Sequence, residues 1–451
     1  MTIDVLPDVA LLEIFEFFAK KNWIEAWYAL VHVCRKWRYI VFGSPLRLNL
    51  RLQCTGRTPV RKTLGVWPPL PIVVMADGDD ERGVDNLIAA LEHNDRICEF
   101  SSCDVPSSQL EPLLAAMRRP FPALTHLHLR AEDETVVVPA SFLGGSAQRL
   151  QTLFLDRIPF PGLPKLLLSA TRLVVLNLWG IPHSRYISPE AMVNCLSVLT
   201  KLESLDLQFE SPQSRPGRRL LRLQTHTVLP VLTDLCFSGV SEYLEDFVVR
   251  IDTPLLDRLA ITYFYEPLFD TPRLSQFIAR TPNFKTHDEA RVVFSYWGVV
   301  ATLPQKLNRK LEIQVLCREQ DWQLRPLLSP LAQVFSSSFP QDLIPAVERL
   351  YILIFLLSPS QNGIESSQWL ELLHPFTAVK GLYLSQELPS LIAPTLQELV
   401  GERATEVLPA LETLFLRETL PPGPVQETIG KFVAERELAG SPITLSHWEG
   451  R

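Results

Sequence analysis

His126 and His128 stand two residues apart, so on an extended chain both imidazoles face the same way and could share a metal ion. No third ligand lies at a diagnostic spacing, and an exposed strand face is the better account of the pair. Cys98 and Cys103 have no second cysteine pair to complete a zinc set and read as buried thiols. Arg215, Arg218, Arg219 and Arg222 form a short basic loop that is better solvated than phosphate-binding. A Walker loop, a dinucleotide glycine fingerprint, a Gly-x-Ser-x-Gly elbow and a His-Glu-x-x-His helix are all missing. The chain therefore reads as a non-enzyme without cofactor or metal, and a hydrolase or transferase survives only if its site is assembled from distant residues.

Binding chemistry, by contrast, is concentrated at the start of the chain. Leu6-Pro7-Asp8 precedes an apolar stripe, Leu11, Ile14, Phe15 and Phe18, at helical spacing, with Asp8 as N-cap. Val9, Leu12 and Phe17 widen that surface beyond the needs of one neighbour, which predicts burial on two sides. Lys20-Lys21-Asn22 interrupts, a second helix is expected over about 23–30, and a third over about 31–41 carries Val33, Trp37 and Ile40. On spacing alone, these helices also fit a cap packed inward on the rest of the fold.

Leu6-Pro7, the amphipathic helix, and Val33-Cys34-Arg35 with Trp37 resemble an F-box in order and approximate spacing. In that family the module docks a substrate receptor on the Skp-type adaptor of a cullin-RING ubiquitin ligase. The resemblance implies that Leu6, Pro7, Leu11, Val33, Cys34 and Trp37 make the adaptor contact. The chain departs from the family in its longer, more aromatic linker from Ala19 to Ala29, and in Pro45-Leu46-Arg47-Leu48 where a tryptophan often follows the third helix.

Beyond residue 95 one apolar-x-x-apolar-x-apolar pattern returns: Leu124-Leu127-Leu129, Leu150-Leu153-Leu155, Leu173-Leu176-Leu178, Leu202-Leu205-Leu207, Leu232-Leu235-Phe237 and Leu256-Leu259-Ile261. Val347-Leu350-Ile352, Val379-Leu382-Leu384 and Leu411-Leu414-Leu416 follow, spaced 32 residues apart. These spacings fall in or near the leucine-rich repeat range. Helices are expected between copies, over 109–117, 163–170, 189–199, 242–249, 368–373 and 394–400. One strand and one helix cannot bury both faces alone, so the units must stack into a parallel-stranded solenoid. Arg291-Val292-Val293-Phe294 and Leu311-Glu312-Ile313-Gln314-Val315 keep register only loosely, predicting a distorted middle in a bent horseshoe.

The fold class is thus α/β, an all-helical F-box over 1–48 followed by an irregular leucine-rich-repeat solenoid. Residues 49–94, with Leu46-Leu48-Leu50-Leu52 and Leu70-Pro71-Ile72-Val73-Val74 as strands and an acidic turn over 76–83, read as a linker and first solenoid unit. Residues 95–451 read as the substrate-binding domain. F-box and repeats together look like the leucine-rich F-box receptors, and Thr281-Pro282-Asn283-Phe284 and Leu370-Glu371-Leu372-Leu373-His374-Pro375-Phe376 resemble a group of fungal F-box proteins.

On each strand the residue between the last two apolar positions points out of the core. That places His128, Phe154, Asn177, Asp206, Cys236, Ala260, Tyr351, Tyr383 and Phe415 on one face, with Arg130, Asp156, Trp179, Gln208 and Arg417 beyond them. Phe154, Trp179, Tyr351, Tyr383 and Phe415 are the candidate grip on a protein substrate. Some of the five would instead only fill space if a loop or the C-terminal segment covers them.

A formal charge of -7 argues against nucleic acid as partner, and no long polybasic tract suggests a membrane surface. The seven scattered cysteines suit a reducing compartment, and no apolar run approaches the ~20 residues that span a bilayer. The expectation is a soluble protein of the cytoplasm or nucleus. Its expected partners are a Skp-type adaptor, through it a cullin-RING ligase, and a protein substrate. The alternative is a leucine-rich interaction scaffold acting outside ubiquitination.

Overall fold

The structure, a computed structural model, describes residues 6–21, 26–43, 50–67, 69–77, 83–132, 136–181, 187–210, 226–264, 269–285, 287–295, 298–304, 309–316, 332–335, 337–340, 342–355, 365–417 and 422–449. Residues 1–4, 22–25 of the helical segment, 45–48, 78–82 of the acidic turn, the basic stretch from Arg215 to Arg222, and Cys317 lie outside these. The chain divides into two units, Met1–Ile187 with Asn194–Glu210, and Ser188–Val193 with Ser211–Arg451. That division falls elsewhere than at residues 48 and 94.

In the first unit, α1 (Asp8–Lys21), α2 (Ala26–Val33) and α3 (Arg35–Gly43) precede the repeats. The break between the last two helices falls at Cys34, three residues later than the sequence suggested. The Cys34 thiol there accepts the Trp37 backbone N–H at 3.4 Å, satisfying one of the orphan donors of the new helix.

The ladder begins with β1 (Leu50–Cys54), α4 (Val60–Val66), β2 (Ile72–Asp77) and α5 (Gly83–Leu91). Residues 49–94 therefore hold two strand–helix units where one was expected. Next come β3 (Ile97–Val105), α6 (Ser107–Ala116), β4 (His126–Ala131), β5 (Thr152–Asp156), α7 (Leu163–Ser169), β6 (Val175–Ile181), α8 (Pro189–Leu196) and β7 (Ser204–Phe209). Strands β1 to β7 pair in sequence order, all parallel.

The repeat pattern explains this ladder. In all nine copies the last two apolar residues lie on a strand and all three are buried, each large side chain adding roughly 1.5–3 kcal/mol by leaving water. A backbone joint recurs ahead of the strands. The Thr125 carbonyl accepts the N–H groups of Gln151 (2.7 Å) and Thr152 (3.0 Å), and the Gln151 carbonyl accepts those of Val174 (2.8 Å) and Val175 (2.9 Å). The chain direction of each strand is thereby set by its predecessor, and the outward positions align into rows.

The second unit opens with β8 (Thr227–Val228), β9 (Asp234–Gly239), α9 (Ser241–Val248), β10 (Ile251–Asp252), β11 (Arg258–Tyr263) and α10 (Pro272–Arg280). A three-stranded antiparallel meander follows: β12 (Glu289–Ser295), β13 (Gly298–Pro304) and β14 (Lys310–Leu316). It enters the sheet in reverse order, β14 pairing with β11 and β12 with β15 (Arg349–Ile354), both parallel. Two antiparallel steps restore the original strand direction, so the repeat resumes beyond the insertion. The distortion expected near residues 291–315 is this meander.

The array ends with α11 (Ser366–Leu373), β16 (Gly381–Leu384), α12 (Leu388–Glu398), β17 (Thr413–Leu416), α13 (Pro424–Leu438) and β18 (Thr444–His447). Helix α12 starts six residues before Pro394, which sits inside it. Pro389 in the first turn is the proline that opens the helix, where a missing N–H costs nothing. Among the described residues no helix is long and apolar enough to cross a membrane.

Candidate functional site

The α1 stripe points in two directions. Leu11 and Phe15 are fully buried, and Phe15 meets the Trp37 ring at 4.7 Å between centroids, locking α3 onto α1. Val9, at 64% exposure, and Phe17, at 71%, face solvent with Leu6, Ile14, Phe18, Val33 and Tyr39. The Lys36 ammonium donates to the Leu6 carbonyl at 3.2 Å and lies 3.7 Å from Asp8, so the Leu6-Pro7 entry is tied to α3 rather than left free.

The six residues expected at an adaptor divide by exposure. Leu6, Pro7 and Val33 are exposed, Cys34 and Trp37 are half-buried, and Leu11 is a core residue with no surface to offer a partner. Tyr39 is exposed as well, although the spacing of Val33, Trp37 and Ile40 points to the inward side, where Ile40 is buried. Its signal was present, since a tyrosine beside Arg38 lies off that inward stripe.

In the first unit the outward row runs His128, Phe154, Asn177 and Asp206 in strict strand register. His128 packs edge-on against Phe154 at 4.1 Å, and Phe154 edge-on against Trp179 at 4.8 Å. His126 uses Nδ1 with the Thr125 hydroxyl at 2.9 Å. Asp206 orients two neighbours by accepting the Trp179 indole N–H at 2.9 Å and the Gln208 amide at 3.1 Å. Buried Asp156 pairs with Arg130 at 3.2 Å. An open recess of about 680 Å³ lies between Arg130, Arg157, Trp179 and Gln208. Gly180, at φ +55°, closes one wall, where a Cβ would come within 2.7 Å of the Arg157 side chain.

In the second unit Tyr351, Tyr383 and Phe415 stand on neighbouring strands in register. Their rings stack face to face, at 4.1 Å and 14° and then at 4.2 Å and 1°. Gly381 makes room for them, since a Cβ there would approach the Tyr383 ring at 3.1 Å. Arg291 caps the ladder with its guanidinium 5.5 Å from the Tyr351 ring centre, held by Glu289 at 2.6 Å. Burial, reinforced by Glu289, pushes the Tyr351 phenol above its ordinary range, so it stays a neutral hydrogen-bonding group. Trp448 crosses the ladder edge-on, 5.9 Å from Tyr351 and 5.7 Å from Tyr383. A recess of about 350 Å³ remains beside it, lined by Glu289, Arg291, Arg349, Leu353 and Glu449.

All five candidate grip residues are half-buried on the outward side of the strands. Phe154 and Trp179 touch one another within the first unit, and Tyr351, Tyr383 and Phe415 within the second. Trp448 was not anticipated by name, because the hydrogen bond that seats it spans 64 residues of sequence.

Three of the cysteines are inert. Burial pushes the thiols of Cys54 and Cys98 up to about 12 and that of Cys195 to about 11, far from thiolate chemistry.

No family model matches this chain, and no curated protein matches it. Among solved structures it is similar to the leucine-rich repeat-containing protein LegL7 from Legionella pneumophila, at 14% identity over 88% of this chain and 99% of that one, with a TM-score of 0.28. A likeness of that size assigns no function, and the repeat fold stands on the chain's own strands, registers and buried leucines.

Proposed function

We propose that this chain is the substrate-recognition subunit of an SCF-type, cullin-RING ubiquitin ligase. The helices over 6–43 dock on a Skp-type adaptor, and the outward rows of the repeats hold a protein target. The chain itself is non-enzymatic, and transfer of ubiquitin to lysines of the target is accelerated by proximity to a charged partner. Such a receptor works in the cytoplasm or the nucleus. One observation carries the reading: Leu6, Val9, Ile14, Phe17, Phe18, Val33 and Tyr39 all lie exposed on one short helical segment. A folded protein rarely leaves that much apolar surface in water without a partner for it. The resemblance of the Leu-Pro entry and the Val-Cys-Arg run to an F-box supports a Skp-type adaptor as that partner.

Co-purification of the full chain with the adaptor, beside a Leu6→Ala, Pro7→Ala variant, tests the proposal. Binding by the wild type that is lost in the variant supports docking, whereas no binding by either protein removes it. In the second case the aromatic clusters at Phe154 and Trp179 and at Tyr351, Tyr383 and Phe415 favour a leucine-rich interaction scaffold outside ubiquitination. These surfaces need no adaptor to hold a partner.

A further inference from the structure

Strand β18 differs from the strands it follows. It pairs in parallel with β17, Phe415 opposite Ser446 and Leu416 opposite His447, yet all four of its side chains are exposed. The alternation of buried and outward residues that anchors β4 to β7 is gone, and only Ile443 just before it is buried. What holds it is the four-residue parallel ladder with β17 and the bonds that flank it. The Thr444 N–H donates to the Glu412 carbonyl at 2.9 Å, the Trp448 N–H to the Leu416 carbonyl at 3.2 Å, and the Thr413 and Thr444 hydroxyls meet at 3.1 Å.

The Trp448 ring of this segment is seated on residues of three paired strands. Tyr351, Tyr383 and Phe415 are fixed by three strands. The Trp448 indole lies across them and donates its N–H to the Leu384 carbonyl at 3.3 Å, at the end of β16. The combination is a strand for a main chain to pair with, an aromatic platform for a flat side chain, and the Leu384 carbonyl, which takes an indole N–H beside that of Arg417.

We propose that the β17 edge and the Tyr351–Tyr383–Phe415 ladder form a docking slot for an extended target peptide bearing a tryptophan, and that residues 444–448 are its built-in competitor. The incoming peptide pairs with β17 in place of β18 and lays its indole on the ladder in place of Trp448. The inference rests on the repeats being the target-binding surface, and it adds the class of target and its regulation. A segment held by one four-residue ladder with no buried side chain on the strand, and by one indole, keeps the slot closed to weak ligands and yields to a peptide with further contacts in the adjoining recess.

The test uses a fluorescein-labelled peptide of residues 441–449, Ser-Pro-Ile-Thr-Leu-Ser-His-Trp-Glu, in an anisotropy titration. It is added to the full wild-type chain and to a full-length Thr444→Pro, Trp448→Ala variant, which lacks one ladder N–H and the indole. A tethered segment presents itself at about millimolar effective concentration, so a peptide with an intrinsic Kd of about 0.1 mM binds the variant about tenfold more tightly than the wild type. The same peptide with alanine for its tryptophan is expected not to bind. Equal affinity for both proteins, no binding to the variant at 1 mM peptide, on the order of the effective concentration itself, or equal binding of the alanine peptide would each overturn the proposal. None of these readouts involves the adaptor, so failure of the slot and failure of the docking reading are separable.

Discussion

Replacing Glu245 is expected to loosen the second unit at a defined joint. Glu245, buried on α9, accepts the Arg273 N–H at 2.9 Å and the Leu274 N–H at 2.7 Å, so its carboxylate caps the first turn of α10. In Glu245→Ala the Leu274 donor stays buried without an acceptor, costing about 1–3 kcal/mol, while water replaces part of the bond to the half-exposed Arg273 donor at about 1 kcal/mol. The expected loss is about 2–4 kcal/mol, read as a lower urea midpoint at unchanged slope. Burial is the largest influence on this group and pushes its folded pKa above the ordinary 4.5, against the two amides and Arg273. A raised carboxylate favours folding most at low pH, and that contribution fades as pH rises from 4.5 through the raised folded value. The stability of wild type minus that of Glu245→Gln, which never ionises, is therefore expected to fall as pH rises across that window. A difference that grows with pH would mean that the amides outweigh burial, and a Glu245→Ala shift below about 0.5 kcal/mol would refute the capping argument itself.

Two further perturbations separate packing from surface and test the insertion. Phe15→Ala, from a fully buried site, is expected to cost about 3–5 kcal/mol of stability, whereas Phe17→Ala changes stability by less than about 0.5 kcal/mol but weakens adaptor binding at least about tenfold. Thermal melts and adaptor titrations on both variants check the pair, and equal effects on stability would place both residues on the same side of α1. At the start of β13, Gly298 has φ +154°, and a Cβ there would collide with the Val315 carbonyl of β14 and lie 3.0 Å from the Leu316 Cα. Gly298→Ala is expected to cost about 1–3 kcal/mol because backbone, unlike a side-chain tip, cannot step aside, and an unchanged melting temperature would contradict the β13–β14 register.

How much of this was legible depends on what each signal encodes. The repeat copies were readable because every strand needs two inward apolar residues at a spacing of two, and the neighbouring unit imposes the same need 23 to 32 residues on. Outward residues followed from the same period, which is why Tyr351, Tyr383 and Phe415 could be aligned before any contact was known. The meander was different. Alternation in Val292, Phe294, Leu311 and Ile313 marks strands, but it says nothing about which strand lies beside which, and the reversed order β14, β13, β12 is a property of the connections. In the helical segment the apolar residues were found and their directions were not. A helix with apolar residues on more than one side offers several candidate stripes, and the tie is decided by Phe15 meeting Trp37. Trp448 lay beyond any local pattern, since its partners are strands laid down much earlier in the chain.

On the proposed function, the adaptor docks on the helices of residues 6–43 and not on the repeats, which are kept for the target. Hydrogen–deuterium exchange of the full chain with and without a purified Skp-type adaptor addresses it directly. Slowed exchange is expected in α1 and α3, around Leu6, Phe17, Val33 and Tyr39, with the repeat strands of each unit unchanged. Unchanged exchange in α1 and α3 at saturating adaptor, or protection confined to the repeat strands, would contradict it.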